Sequence, residues 1–189
     1  RNPCFSVSFS ANVAHLYALK KQNGFRFTDC IYFAAMLAAN GVAGFRQRIV
    51  GLRPVEFERV DAAFTYIPKG KSLHCNCVAT FDHKFSVFSS NISAARASAD
   101  RQPTLCPEGG DVQSLIYFSC VPDIPILSAT NPWGDPWVDS VPRFLFGKME
   151  SGNITVSIEA LHSFIDGIHL AEFYKLFLQI LESPQEYFG

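Results

Sequence analysis

The run CIYFAAMLAA, residues 30–39, is apolar on every side of a helix. A helix of that kind has no face for water and must be enclosed by other elements. Thr28 is the expected N-cap, with the helix running over 29–40. The rest of the chain therefore has to supply a sheet and further helices that cover it.

The flanking patterns supply both. Residues 4–10 alternate and are β-rich, which predicts a strand at the very start. Asn12 is placed to cap a helix to about residue 22, ended by Gly24. Residues 46–52 and 55–67 read as strands around Gly51 and Pro54, and 75–80 as a short strand. Asp82 is placed to cap a polar helix to about residue 99. Residues 101–110 form a loop, 112–120 a strand, and 128–140 a loop holding two prolines and a glycine. Strands at 142–149 and 153–161 precede a closing helix over 168–182. Strands and helices are mixed without regular alternation. This predicts one domain over residues 1–189, an α/β two-layer sandwich with a mixed β-sheet packed by helices.

The 189 residues carry a net charge of −1 and 17% charged residues, so no basic excess points to nucleic acid. The absence of an 18-residue apolar run argues against a membrane span, and no signal peptide is visible. Eighteen phenylalanines imply an aromatic core and an aromatic-lined pocket or interface. The six cysteines are expected to be reduced in a cytoplasmic setting. Cys75 and Cys77 would share one face of a strand. No second pair completes a zinc spacing, and His74 does not repair it, so no metal site is expected. The sequence starts at Arg1 rather than Met, and an N-terminal segment is expected to be missing.

Chemistry concentrates in EALHSFIDGIHLAEF, residues 159–173. His162 falls at the C-terminal end of a strand, just before a turn and a helix. Histidine titrates near neutral pH and suits a general base. Asp166 follows four residues later, and Gly167 permits a tight turn. The same residues also describe a loop histidine followed by an aspartate N-cap, and the spacing alone leaves both readings open. His15 and His83 read as surface residues, and His169 as a helix-start residue that packs.

HSFIDGIH resembles the H-x-x-x-D-G-[FY]-H signature of the chloramphenicol acetyltransferases. Its His-x-x-x-Asp-Gly core is shared with the dihydrolipoyl acyltransferase catalytic domains. Other segments resemble that family in the same order: FSVSFSANVAHL, GFRFTDCIYFAAMLAAN, FRQRI, VDAAFTYI, SCVPDIPILSATN and PRFLFGKM. The resemblance covers essentially the whole chain. It implies acetyl-CoA as cosubstrate, no permanently bound cofactor, and direct transfer to a hydroxyl, chloramphenicol first among acceptors. It implies His162 as base, Ser128 as donor to the oxyanion, and Asp166 as a structural aspartate paired with an arginine upstream of Cys4. Arg26 and Lys148 are matched to the CoA side. Cys4, Leu73, Cys75 and Phe118 fall where the acceptor pocket lies. A homotrimer with each active site between subunits is implied as well.

The chain departs from the family pattern at several positions. Glu159, Ala160 and Leu161 stand where Q-[LIV]-H is usual. Ile168 replaces the aromatic after Asp-Gly, and Asp123 a tryptophan. Leu145 stands in place of a threonine that holds a water, and Arg143 in place of an apolar pocket residue. These changes fall on the acceptor side. The competing readings are a catalytically impaired assembly protein on the same fold and an acyltransferase for a thiol or lipoyl-linked acceptor.

Overall fold

The computed structural model describes residues 3–109, 112–131, 133–135 and 139–189. In chain order the elements are β1 (Cys4–Asn12), α1 (Ala14–Asn23), α2 (Phe27–Asn40), the short α3 (Ala43–Arg46), β2 (Gln47–Val50), β3 (Arg53–Glu56), β4 (Asp61–Tyr66) and β5 (Cys75–Ala79). They continue with α4 (Phe85–Arg101), β6 (Leu115–Cys120), β7 (Arg143–Phe146), β8 (Asn153–Leu161) and α5 (Gly167–Glu182). Six strands form one sheet in the order β1-β8-β7-β6-β4-β5, while β2 and β3 form a separate hairpin. The β4/β6 and β6/β7 pairs are parallel and the other pairs in the sheet are antiparallel. The architecture is the expected two-layer α/β sandwich with a mixed sheet.

Alternation gives the sheet two unlike faces. Phe64, Phe118, Phe144 and Ile158 are cross-strand neighbours on one face, and all are buried. The helices cover this face. Tyr32 of α2 stacks on Phe118 at 4.9 Å, and Phe173 of α5 meets Phe144 at 5.4 Å. Ten of the fourteen residues of α2 are buried, as its all-round apolar surface requires. Its one buried acid, Asp29, is paired with Arg96 of α4 at 2.6 Å. The opposite face carries Ser6, Ser157, Glu159, Arg143, Tyr117, Ser119 and Thr65. A face so rich in hydroxyls and charge does not need a second helical layer.

Several boundaries differ from the pattern. The strand expected over 55–67 is two strands. Asn40 holds Val60 by both backbone groups, donating to its carbonyl at 3.2 Å and accepting its N–H at 2.9 Å. That clasp draws Val60 into the core and turns the chain from the hairpin into the sheet. The hairpin closes on Gly51 and Leu52, both at positive φ (56° and 64°), the handedness that matches strand twist. Residues 112–114 and 147–149 lie outside the shortened β6 and β7. Three helices start at other caps than expected: Val13, Arg26 and Lys84. Asn12 and Asp82 instead accept the N–H two residues on, closing turns before the helices.

Arg48 of β2 is fully buried without a carboxylate partner. Its guanidinium donates to the carbonyls of Phe45, Gln47, Gln113 and Leu115, at 2.5–2.9 Å. Burial pushes it down to about 9, so it remains a cation at neutral pH. These bonds tie the hairpin to the entry of β6. Arg48→Met fills the volume but strands four carbonyls. It should cost about 3 kcal/mol or more and lower the melting temperature by roughly 6–12 °C. An unchanged urea midpoint would show that the carbonyls find other donors.

Candidate active site

His162 follows the last residue of β8, and its N–H donates to Pro3 O at 2.9 Å, extending the β1/β8 ladder. The side chain is exposed and its ring packs on Phe5 at 4.7 Å. The turn after it is tight: Phe164 and Ile165 both donate to Leu161 O at 3.1 Å, and Ile165 is buried as an anchor. Asp166 is the N-cap of α5. It accepts the Gly167 N–H at 2.6 Å and closes a reciprocal capping box with His169. His169 Nδ1 accepts the Asp166 N–H at 3.1 Å, which places its proton on Nε2. Among the described residues no cation is within ion-pair distance of Asp166. Its visible role is to start α5 and fix the turn that carries His162.

One residue that sequence reasoning passed over bears on this turn. A Cβ on Gly44 would stand 2.7 Å from Phe164 O and 3.3 Å from the His169 ring. Only a glycine in α3 lets the histidine turn lie this close. Nothing in the local pattern of residues 43–46 announces a contact 120 residues away.

Ser128 is exposed in the segment between β6 and β7. Its neighbours are fixed to the polar face of the sheet. Ala129 O accepts from Ser6 Oγ at 3.0 Å and Ser157 Oγ at 3.1 Å. Asn131 donates through its backbone N–H and its amide to Glu159 Oε2, both at 2.5 Å. Upstream, Gly147 admits Ile126, whose side chain lies 2.7 Å from where a Cβ would be. Glu159 is 4% exposed and clamps this loop, a function its place beside the histidine motif did not reveal.

The chain separates the groups it would need to combine. The Ser128 loop is anchored at Ser157 and Glu159, five and three residues before His162, about 10–16 Å along the strand. Lys148 stands before β8 and His162 after it, so the nine residues of β8 separate them by about 30 Å. Lys148 is exposed and pairs with Glu150 at 3.5 Å. Arg26, exposed at the start of α2, lies toward the same end of the sheet as Lys148, because Tyr32 of α2 packs under Phe146 and bonds Cys120. Cys4 is half-buried on β1 and Cys75 buried on β5, the two edges of the sheet, about 24 Å apart by strand spacing. Leu73 is 79% exposed, and Phe118 is buried beneath Tyr32. The structure does not bring Cys4, Leu73, Cys75 and Phe118 together within one chain.

A concavity of about 400 Å³ opens on the polar face, lined by Thr65, Asn76, Ser119 and Arg143 and, over more of its surface, by apolar groups that include Val78, Leu105 and Pro107. Among the described residues, no group of three or more His, Cys, Asp or Glu side chains is arranged to hold a metal ion. No described helix is long and apolar enough to cross a membrane.

No family model and no curated protein matches the sequence. Solved structures do match. A chloramphenicol acetyltransferase, 23% identical, has a TM-score of 0.87, covering 95% of this chain and 89% of that one. A probable dihydrolipoamide acetyltransferase from Listeria monocytogenes, 10% identical, has a TM-score of 0.73, covering 96% of this chain and 85% of that one. A dihydrolipoamide acetyltransferase of Azotobacter vinelandii, whose structure addresses a serine, a histidine and an asparagine in its mechanism, is 15% identical with a TM-score of 0.71, covering 99% of this chain and 84% of that one. At these identities the likeness establishes the fold alone: this chain has the fold seen in these chloramphenicol and dihydrolipoamide acetyltransferase structures.

Two predictions test the site's construction. Glu159→Ala releases the Asn131 clamp and should raise the exchange rate of the Ala129 and Asn131 amides at least about tenfold. Unchanged exchange would show that the serine bonds hold the loop alone. The cysteines give the second. All six are free. Burial pushes Cys4 and Cys120 up to about 11, and Cys30 and Cys77 up to about 12. Cys75 is buried and Cys106 exposed. A thiol reagent at neutral pH should therefore label Cys106 first, with half-buried Cys4 following only as pH rises toward 11. Fast labelling of Cys4 at neutral pH would contradict its burial.

Proposed function

We propose that the chain is an acetyl-CoA-dependent O-acetyltransferase that works as a homotrimer, with each active site shared between two copies. The observation that supports it best is the histidine turn itself. On a fold shared with acyltransferases, His162 stands exposed at the end of β8, on a turn fixed by Asp166, His169 and the missing Cβ of Gly44.

The chemistry follows from those groups. The His162 imidazole takes the proton of an acceptor hydroxyl as its oxygen attacks the thioester carbonyl. A tetrahedral oxyanion forms, and the Ser128 hydroxyl donates to it. The C–S bond then breaks, acetyl stays on the acceptor oxygen, and the imidazolium returns its proton to the CoA thiolate. No acyl-enzyme is required. Arg26 and Lys148 offer cations for the phosphates of CoA. The loop that carries Ser128 is anchored at Ser157 and Glu159, back along β8 from His162, an offset that favours a shared site. The serine and histidine studied in the Azotobacter relative support the same pairing of residue types. Six cysteines without a disulfide and a CoA substrate fit a cytoplasmic enzyme. Chloramphenicol is the acceptor that the resemblance names, and the first to assay.

The test is release of CoA thiol from acetyl-CoA, with and without acceptor. His162→Ala should abolish acceptor-dependent release. Ser128→Ala should lower kcat by about 10²–10³ with little change in melting temperature. Release that survives His162→Ala would remove the general base and the proposal with it.

A further inference from the structure

The polar face of the sheet contains donors that the protein leaves unused. Arg143, at the start of β7, lines the concavity. Its Nη2 is paired with Asp139 at 2.5 Å, and its guanidinium lies over the Trp133 ring, 3.8 Å from the centroid. It is therefore held rigidly. Yet its Nη1 is buried and has no acceptor among the described residues. The indole Nε1 of Trp133, in the same stack, is buried and likewise without an acceptor. Buried donors are nearly always satisfied, so an orphan on a residue that lines the cavity calls for an outside acceptor.

The surroundings define what that acceptor is. Glu159 is the cross-strand neighbour of Arg143, and its carboxylate already holds Asn131. With Asp139, two carboxylates stand beside one guanidinium. An arriving anion would add a third negative charge. An apolar ring would offer the orphan donor nothing to accept its proton. A hydroxyl accepts from the donors and donates to the carboxylates at once. A vicinal diol does both from one molecule. Thr65, Ser119 and Asn76 extend the same chemistry across the floor, and the volume is in the range of small-molecule pockets.

We propose that this concavity binds an uncharged, hydroxyl-rich small molecule of the sugar or cyclitol class, with a hydroxyl oxygen on Arg143 Nη1. Where the acetyltransferase reading above holds, on which this step rests, such a molecule is the acceptor and Arg143 selects it over an apolar aromatic alcohol.

Binding is measured separately from catalysis. Saturation-transfer NMR and calorimetry would use methyl α-glucopyranoside, methyl β-galactopyranoside and myo-inositol as neutral probes, gluconate as the anion and chloramphenicol as the aromatic. The proteins are wild type, His162→Ala, Arg143→Met and Arg143→Lys. Arg143→Lys keeps a cation for Asp139 but lacks the second fork nitrogen, so it guards against misfolding of the Met variant. The expected result is binding of a neutral probe by wild type and His162→Ala, weakened roughly ten- to a hundredfold in both Arg143 variants. Failure of all neutral probes to bind at millimolar concentration, tighter binding of gluconate or chloramphenicol, or binding indifferent to Arg143 would each overturn the proposal. Neutral-probe binding that depends on Arg143, without acetyl transfer to any probe, would uphold this site and sink the enzymatic reading instead.

Discussion

A helix with no polar face has to be surrounded, and α2 is such a helix. Its ten buried residues need the phenylalanine face of the sheet on one side and α1, α4 and α5 around the others. This demand explains why all the helices gather on one side. It also explains why β4, β6, β7 and β8 turn their aromatic and branched residues the same way. Once that face is committed to the core, the alternate residues of every strand point to the other. The polar face is thus a consequence of enclosing α2, and the concavity and the anchored Ser128 loop both lie on it.

Much of this was legible. The strand at residues 153–161 was read to the residue, because nine residues with one polar–apolar rhythm leave little room for another choice. The closing helix and α2 were equally clear, since long periodic segments carry their own evidence. Asp166 as a helix cap was visible in the spacing of the motif. What escaped was decided at long range. The break at Val60 depends on Asn40, twenty residues earlier. Gly44 is constrained by a carbonyl of the histidine turn, and Arg48 by carbonyls of the strand entry more than sixty residues on. Glu159 stood out only as a departure from a motif, and its grip on Asn131 needed the fold to be seen. Side-chain to backbone bonds between distant segments leave no period in a sequence.

The geometry divides the candidate chemistry. One end of β8 carries His162, the middle carries the anchor of the Ser128 loop, and the far end leads back to Lys148. Neighbouring strands cannot shorten those distances, because a strand is a rigid ruler. On the proposed shared site, the chain would offer a histidine to one neighbour and a polar face to another. On the same proposal, Arg143 and Glu159 of the receiving chain would help select the acceptor, and the donating chain would carry out the proton transfer.

The most direct measurement is therefore complementation between two crippled chains. His162→Ala and Ser128→Ala proteins would be purified apart, unfolded, mixed and refolded together, and thiol release from acetyl-CoA followed with the best acceptor. If each site takes its histidine from one chain and its serine from the next, the mixture regains activity that neither parent has. If the mixture stays as inactive as its parents while the refolded oligomer forms normally, the two residues do not act across an interface, and the shared-site account is wrong.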